Sequence, residues 1–163
     1  MLSAPIPTNE KARLCAVQGL NLLDTSSEER FDRITKKATE RFSVPISTIT
    51  LIDRDREWYK SVQGLKNREG SRDTSFCGHA LMTEVILIIE DTSADPRFAD
   101  NPMVKGTPFI RFYAGKSLYE EKSHLPVGVF CIKDYRPRKL SISDINDFLD
   151  LAHEAEIEVN RKV

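Results

Sequence analysis

The sequence predicts an α+β domain, an antiparallel sheet with helices laid against it. Helix-period segments stand at the two ends of the chain, and β-type segments cluster between them. The strand pairs at both ends of that cluster are joined by turns of hairpin length, which makes their pairing antiparallel. A short helix and a long, proline-bearing loop interrupt the strands in the middle.

Pro5 and Pro7 keep the first residues extended, and Thr8 or Asn9 is placed to cap a helix running to about Leu23 within the N-terminal segment 1–24. Its apolar or small positions Ala12, Cys15, Ala16, Gly19, Leu20 and Leu23 follow helical spacing. Ser26 and Glu29 then have the spacing of a capping box. The helix after it puts Phe31, Ile34, Ala38 and Phe42 on one face and stops before Pro45. Ile46 to Ile52 is β-branched or apolar apart from Ser47, which predicts a central strand.

Asp53 to Arg56 reads as a polar turn, and Glu57 to Val62 as a returning strand with Trp58, Lys60 and Val62 on one face and Tyr59 and Ser61 on the other. Lys66 to Asp73 reads as a surface loop, Phe76 to Met82 as a short helix and Val85 to Glu90 as a third strand. The stretch from Asp91 to Pro108 is a long loop anchored by Phe98, Met103 and Val104; loops of this length are often functional. Ile110 to Leu118 and Val127 to Asp134 are the last strands, with Val127, Val129 and Cys131 facing one way and Phe130 and Ile132 the other. Ser141 and Asp144 offer a capping box for a final helix in segment 141–163, whose stripe is Ile145, Phe148, Leu149, Ala152, Ala155 and Val159.

Composition narrows the function classes. With 163 residues, 40% hydrophobic and 30% charged, the chain is long enough to close a core and is read as one domain, 1–163. A net charge of −1 with both signs interspersed predicts neither a nucleic-acid nor a membrane partner. The longest apolar run, Val85 to Ile89, is too short to cross a bilayer. Cys15, Cys77 and Cys131 form no CxxC pair, and without a secretory signal they read as reduced thiols in a cytoplasmic protein.

No catalytic set and no metal set emerges. Cys77-Gly78-His79 is the sharpest cluster, but residues two apart on a helix point in different directions, and nothing around them matches a cysteine enzyme. Six Cys and His residues are too scattered for a tetrahedral site, and Asp91, Asp95 and Asp100 lack calcium-loop spacing. Seven glycines form neither a GxGxxG nor a P-loop, and no cofactor is specified.

The ordered segments LLDTSSEERFDRITKKATERFSVPI, LIDRDREWYKSVQGL, RDTSFCGHAL, IIEDTSADPRFADNPMV, IRFYAGKSL and VGVFCIKDYRPRKLS resemble a GAF domain of the bacterial sensory subgroup attached to diguanylate cyclases and histidine kinases. DPRFADNP followed by RFYAG carries most of that resemblance. It implies a central antiparallel sheet of five or six strands, with helices from both chain ends on one face and a short helix plus loop closing a pocket on the other. The expectation is a regulatory module, not an enzyme, that binds a small molecule or partner and transmits a shape change to an output enzyme, a diguanylate cyclase or kinase, in cis or in trans. The expected pocket lies between the sheet and Ser75–Pro108, with Phe76, Cys77, His79, Phe98, Arg111 and Tyr113 as ligand-binding candidates. Arg111 is expected to pair with Asp95 or Asp100, and surplus apolar positions on the terminal helices predict a homodimer. The rival readings are a thiol-based reductase of the free methionine sulfoxide reductase type, using Cys77 or Cys131, and a ligandless dimerisation module.

Overall fold

A computed structural model describes residues 1–162. Its elements are α1 (Glu10–Gly19), α2 (Glu29–Phe42), β1 (Ile46–Ile52), β2 (Arg56–Gln63), β3 (Glu69–Ser71), α3 (Phe76–Ala80), β4 (Leu87–Ile89), a 3-10 turn (Thr92–Ala94), α4 (Pro102–Lys105), β5 (Phe112–Tyr119), β6 (Pro126–Asp134) and α5 (Ile142–Asn160). The six strands form one antiparallel sheet in the order β3-β2-β1-β6-β5-β4. No helix among the described residues is long and apolar enough to cross a membrane.

Strand β1 occupies the middle of this sheet, and all seven of its residues are buried. Alternation sends Ile49 and Leu51 to one face and Ile46, Thr48, Thr50 and Ile52 to the other. On the first face α2 and α5 pack with Phe31, Ile34, Phe42, Phe148 and Ala155, and Phe148 meets Phe130 with ring centroids 5.0 Å apart. Trp58 joins this core. Ion pairs from Arg30 and Arg33 to Glu158 and from Arg41 to Asp144 and Asp147 run along the α2–α5 seam. Helix α1 docks through Arg13, which is completely buried and bonds Glu10 and the Pro126 carbonyl.

Several local expectations change. Helix α1 stops at Gly19, and Asn21 and Asp24 then take left-handed conformations that turn the chain. Helix α2 starts at Glu29 with Glu28 at its N-cap, so no Ser26–Glu29 box forms; the Ser26 carbonyl accepts the Lys60 ammonium instead. The Ser141–Asp144 box is present. Segment 66–73 contains β3, paired to β2, where a plain loop is expected.

Two β-bulges re-aim side chains. On β2, Ser61 pairs with Ile49 and Tyr59 with Thr50, which leaves Lys60 as the extra residue. Ser61 therefore points to α2, where it bonds Thr35 and Asp32, rather than sharing the face of Tyr59. On β6, Gly128 and Pro126 pair with consecutive residues of β5, so Val127 is extra and joins the helix-side core, away from Val129 and Cys131.

Candidate functional site

The other sheet face carries α3, α4 and the long loop. Phe76 opens α3, which Ser75 caps by accepting the Gly78 amide at 2.9 Å. Its ring stacks on Phe98 of the loop at 4.8 Å and on Tyr113 of β5 at 5.3 Å, and all three rings are completely buried. The Tyr113 hydroxyl donates to Cys77 Sγ at 3.2 Å. That position exists because residue 115 is glycine: a Cβ there would stand 2.2 Å from the hydroxyl. His79 is half-buried, bonds the Leu2 carbonyl through Nε2 at 3.1 Å and sets its ring against the edge of Phe98. Arg111 Nη1 donates to the Val104 and Ile110 carbonyls at 2.7 and 3.2 Å, so it fastens α4 to the sheet. The expected Arg111 carboxylate pair is absent because closer cations are taken: Asp95 pairs with Arg97, and Asp100 with the chain's N-terminal ammonium.

These six residues thus form a packed layer. Beside it lies an open cavity of about 230 Å³, over β2 and β6 and under the segments 65–74 and 103–110; none of the six lines it. Its floor is polar. Glu57, Tyr59 and Lys133 are all buried and face it. The Tyr59 hydroxyl donates to Glu57 Oε1 at 2.6 Å, and the Ser75 hydroxyl donates to Oε2. Gly70 lies opposite Glu57 in the β2–β3 pairing, and a Cβ at 70 would come within 3.3 Å of the carboxylate and 3.5 Å of the tyrosine hydroxyl. A larger side chain there would grow into the cavity.

Lys133 is only 1% exposed, and its amine makes no hydrogen bond or ion pair among the described residues. It stands 5.7 and 5.9 Å from the ring centroids of Phe76 and Tyr113, within cation–π range. Burial disfavours its ammonium form, but Cys131, Glu57 and Cys77 outweigh that and hold its pKa above the ordinary lysine value. It is a cation at neutral pH.

The thiols lie elsewhere. Cys15 is exposed on α1, whereas Cys77 and Cys131 are completely buried beneath the floor. Burial pushes the Cys77 thiol well up, helped by Cys131. Burial also raises Cys131, but the Cys77 hydrogen bond, the Lys133 charge and the contact with Thr48 (3.0 Å) reverse this and bring it down to about 7. Neither sulfur reaches the cavity surface.

A larger hollow of about 900 Å³ runs between α1 and the β5–β6 turn. It is a wide surface groove, whose charges include Arg30 and Glu28, paired with each other, and Glu120, Glu121, Lys122, Arg161 and Lys162 of its rim. The cavity with a buried, unpartnered cation is the better candidate. Sequence reasoning missed Glu57, Tyr59 and Lys133. The available signal was Lys133, an ionisable residue at an inward position in line with Val129 and Cys131.

The sheet carries α2 and α5 on one face and α3, α4 and loops on the other, with the cavity beside α3 under segments 65–74 and 103–110. The GAF domain model matches residues 26–159, and the chain belongs to the GAF domain family. Among its relatives is the cyclic di-GMP phosphodiesterase PA2567 of Pseudomonas aeruginosa, 38% identical over 138 residues. That match covers 85% of this chain and 23% of the phosphodiesterase, so the chain spans about a quarter of that relative's length. The GAF domain of an Acinetobacter phosphoenolpyruvate-protein phosphotransferase superposes with a TM-score of 0.62 at 18% identity, covering 91% of this chain and 92% of that one. The free methionine-R-sulfoxide reductase of Neisseria meningitidis, solved with its substrate, gives 0.64 at 16% identity, with 99% and 98% covered. At these identities the two structures share the fold alone with this chain.

Proposed function

We propose that this domain is a cytoplasmic, non-catalytic sensor that takes a small molecule into the cavity over β2 and β6 and passes the event to an output activity. The observation that carries the reading is Lys133, a buried ammonium left without a partner at the floor of an open cavity. A buried ammonium whose N–H donors find no acceptor is rare in a folded core, and the ordinary reason for one is function. The sheet offers a route outward. Lys133 is followed by Asp134, whose carboxylate lies 3.2 Å from Arg138 on the segment that leads into α5. A ligand that moves the end of β6 thereby biases the helix.

The output is by inference the kind of activity carried by the similar phosphodiesterase, a reaction of cyclic di-GMP, or that of a cyclase or kinase working with this domain. The reductase reading finds no support in the geometry, because the thiols that would do the chemistry do not face the cavity. A homodimer through α1 and α5 remains part of the proposal, and Ile142 and Ile157, both exposed on α5, are the apolar positions available to it.

Gly70→Leu, which fills the cavity from the β3 side, tests the reading. Thermal-shift screening of a metabolite library should find compounds that stabilise the native sequence and leave Gly70→Leu unmoved. Compounds that stabilise both proteins equally would place binding elsewhere.

A further inference from the structure

The chemistry of the cavity floor selects among small molecules, and this step rests on the cavity being the ligand site. Lys133 has three N–H donors and no acceptor among the described residues; the aromatic faces of Phe76 and Tyr113 supply only cation–π attraction. Glu57 accepts from Tyr59 and Ser75 and has lone pairs to spare, and the Tyr59 oxygen, whose O–H is donated to Glu57, keeps a lone pair that can accept. The floor therefore lacks an anionic acceptor on the β6 side and can use a neutral donor on the β2 side. Lys66 and Glu69 both stand exposed at the rim, so the rim charge is balanced and the selection falls to the floor.

We propose that the cavity binds a short organic monocarboxylate bearing a hydroxyl: the carboxylate accepts from Lys133 Nζ, and the hydroxyl donates to Glu57 or Tyr59.

Charge and size both support this class. The Glu57 carboxylate already faces the single buried cation across this floor, so each further negative charge is less welcome, and a dianionic phosphate fits worse than a monocarboxylate. The volume of about 230 Å³ lies below the roughly 300–1,000 Å³ usual for pockets that hold drug-sized ligands. A cyclic dinucleotide, with two phosphates and two purines, fits poorly on both grounds. The apolar wall of Met103, Pro108 and Ile110 suits a short carbon chain.

Isothermal titration with glycolate, lactate and glycerate, each beside its amide, and with inorganic phosphate tests the assignment. The carboxylates should bind, and their amides should bind roughly tenfold more weakly or worse, about what one charge-assisted hydrogen bond contributes. Lys133→Met and Lys133→Gln should lose the carboxylates while keeping the native circular-dichroism spectrum. Failure of all three carboxylates, equal binding of the amides, phosphate binding as tight as lactate, or undiminished binding by Lys133→Met would each overturn the assignment. Gly70→Leu separates this from the broader reading. If neutral compounds bind the native sequence but not Gly70→Leu, the cavity is the site and only the ligand class is wrong; if no binder is sensitive to Gly70→Leu, both fall.

Discussion

Lys133→Met should change the stability of the protein little, and the reason follows from what surrounds the amine. The side chain is buried beside Phe76, Tyr113 and Cys131, with no hydrogen bond or ion pair of its own among the described residues. A buried ion costs several kcal/mol in desolvation, and replacing buried charge by an apolar group of similar volume is often stabilising by about 1–4 kcal/mol. Against this stand the lost cation–π contacts, about 0.5–2 kcal/mol together, and the attraction of Cys131 and Glu57 that holds the ammonium charged. The net expectation is a change within about 1 kcal/mol of zero, or within roughly 4 °C in melting temperature for a chain of this length.

Lys60 provides an internal control. It is equally buried, but its ammonium bonds Thr25 at 2.8 Å and the Ser26 carbonyl at 2.7 Å, and it pairs with Glu28 at 2.6 Å. Lys60→Met should cost about 2–4 kcal/mol, somewhat less than a fully buried pair because Glu28 still reaches water. Urea denaturation of the three proteins at neutral pH gives both magnitudes in one experiment. A loss of about 3–5 kcal/mol in Lys133→Met, the size expected when a buried pair is broken, would mean that Lys133 is ion-paired, and the reasoning would fail.

Further outcomes follow from the packing. Trp58→Ala, which empties a site in the helix-side core and removes the stacking of Arg68 at 5.1 Å, should cost about 3–5 kcal/mol by chemical denaturation; a change under about 1 kcal/mol would contradict its burial. A chromogenic disulfide reagent should titrate Cys15 rapidly in the native protein and Cys77 and Cys131 only after denaturant is added; rapid reaction of all three would contradict their burial. For Glu10, burial raises the carboxyl, but hydrogen bonds from Arg13 and Arg72 more than reverse this and bring it down to about 2. Its folded value is thus below its unfolded one, so its contribution is present above about pH 4.5 and is lost as pH falls towards 2. Circular dichroism should show stability declining through that window, and the decline should be smaller in Glu10→Gln.

Much of the fold is legible in the residue order because its signals are local and strong. Ile46–Ile52 carries an unbroken β-branched and apolar run, and it forms β1 with those limits. Ser141 and Asp144 have capping-box spacing, and the box forms through Asp144 Oδ2 while Oδ1 takes Arg41. The Ser26–Glu29 spacing is equally good, but the Lys60 ammonium claims the Ser26 carbonyl and the chain enters α2 later. That competition comes from a strand more than thirty residues away (|i−j| = 34), which local spacing does not register. The bulges at Lys60 and Val127 are invisible to alternation for the same reason: they are set by pairing with β1 and β5.

The candidate site divides along the same line. The Phe76, Phe98 and Tyr113 stack is anchored by residues whose size predicts burial, and Arg111 does secure the loop, through carbonyls in place of the expected carboxylate. The open cavity is displaced from that layer because aromatic side chains fill the space under α3, while Gly70 keeps the space over Glu57 and Tyr59 clear. An absence of side chain makes a cavity, and only the three-dimensional pairing of β2 with β3 shows which glycine makes it.

The most direct measurement is a map of where binders touch the protein. Amide chemical shifts, recorded while metabolites that stabilise the protein are titrated in, should move first at Gly70, Thr74, Ile110 and Lys133 and then along Asp134 to the start of α5. The same compounds should leave the spectrum of Gly70→Leu unchanged. Shifts confined to the groove between α1 and the β5–β6 turn, or identical shifts in Gly70→Leu, would contradict a ligand-sensing cavity over β2 and β6.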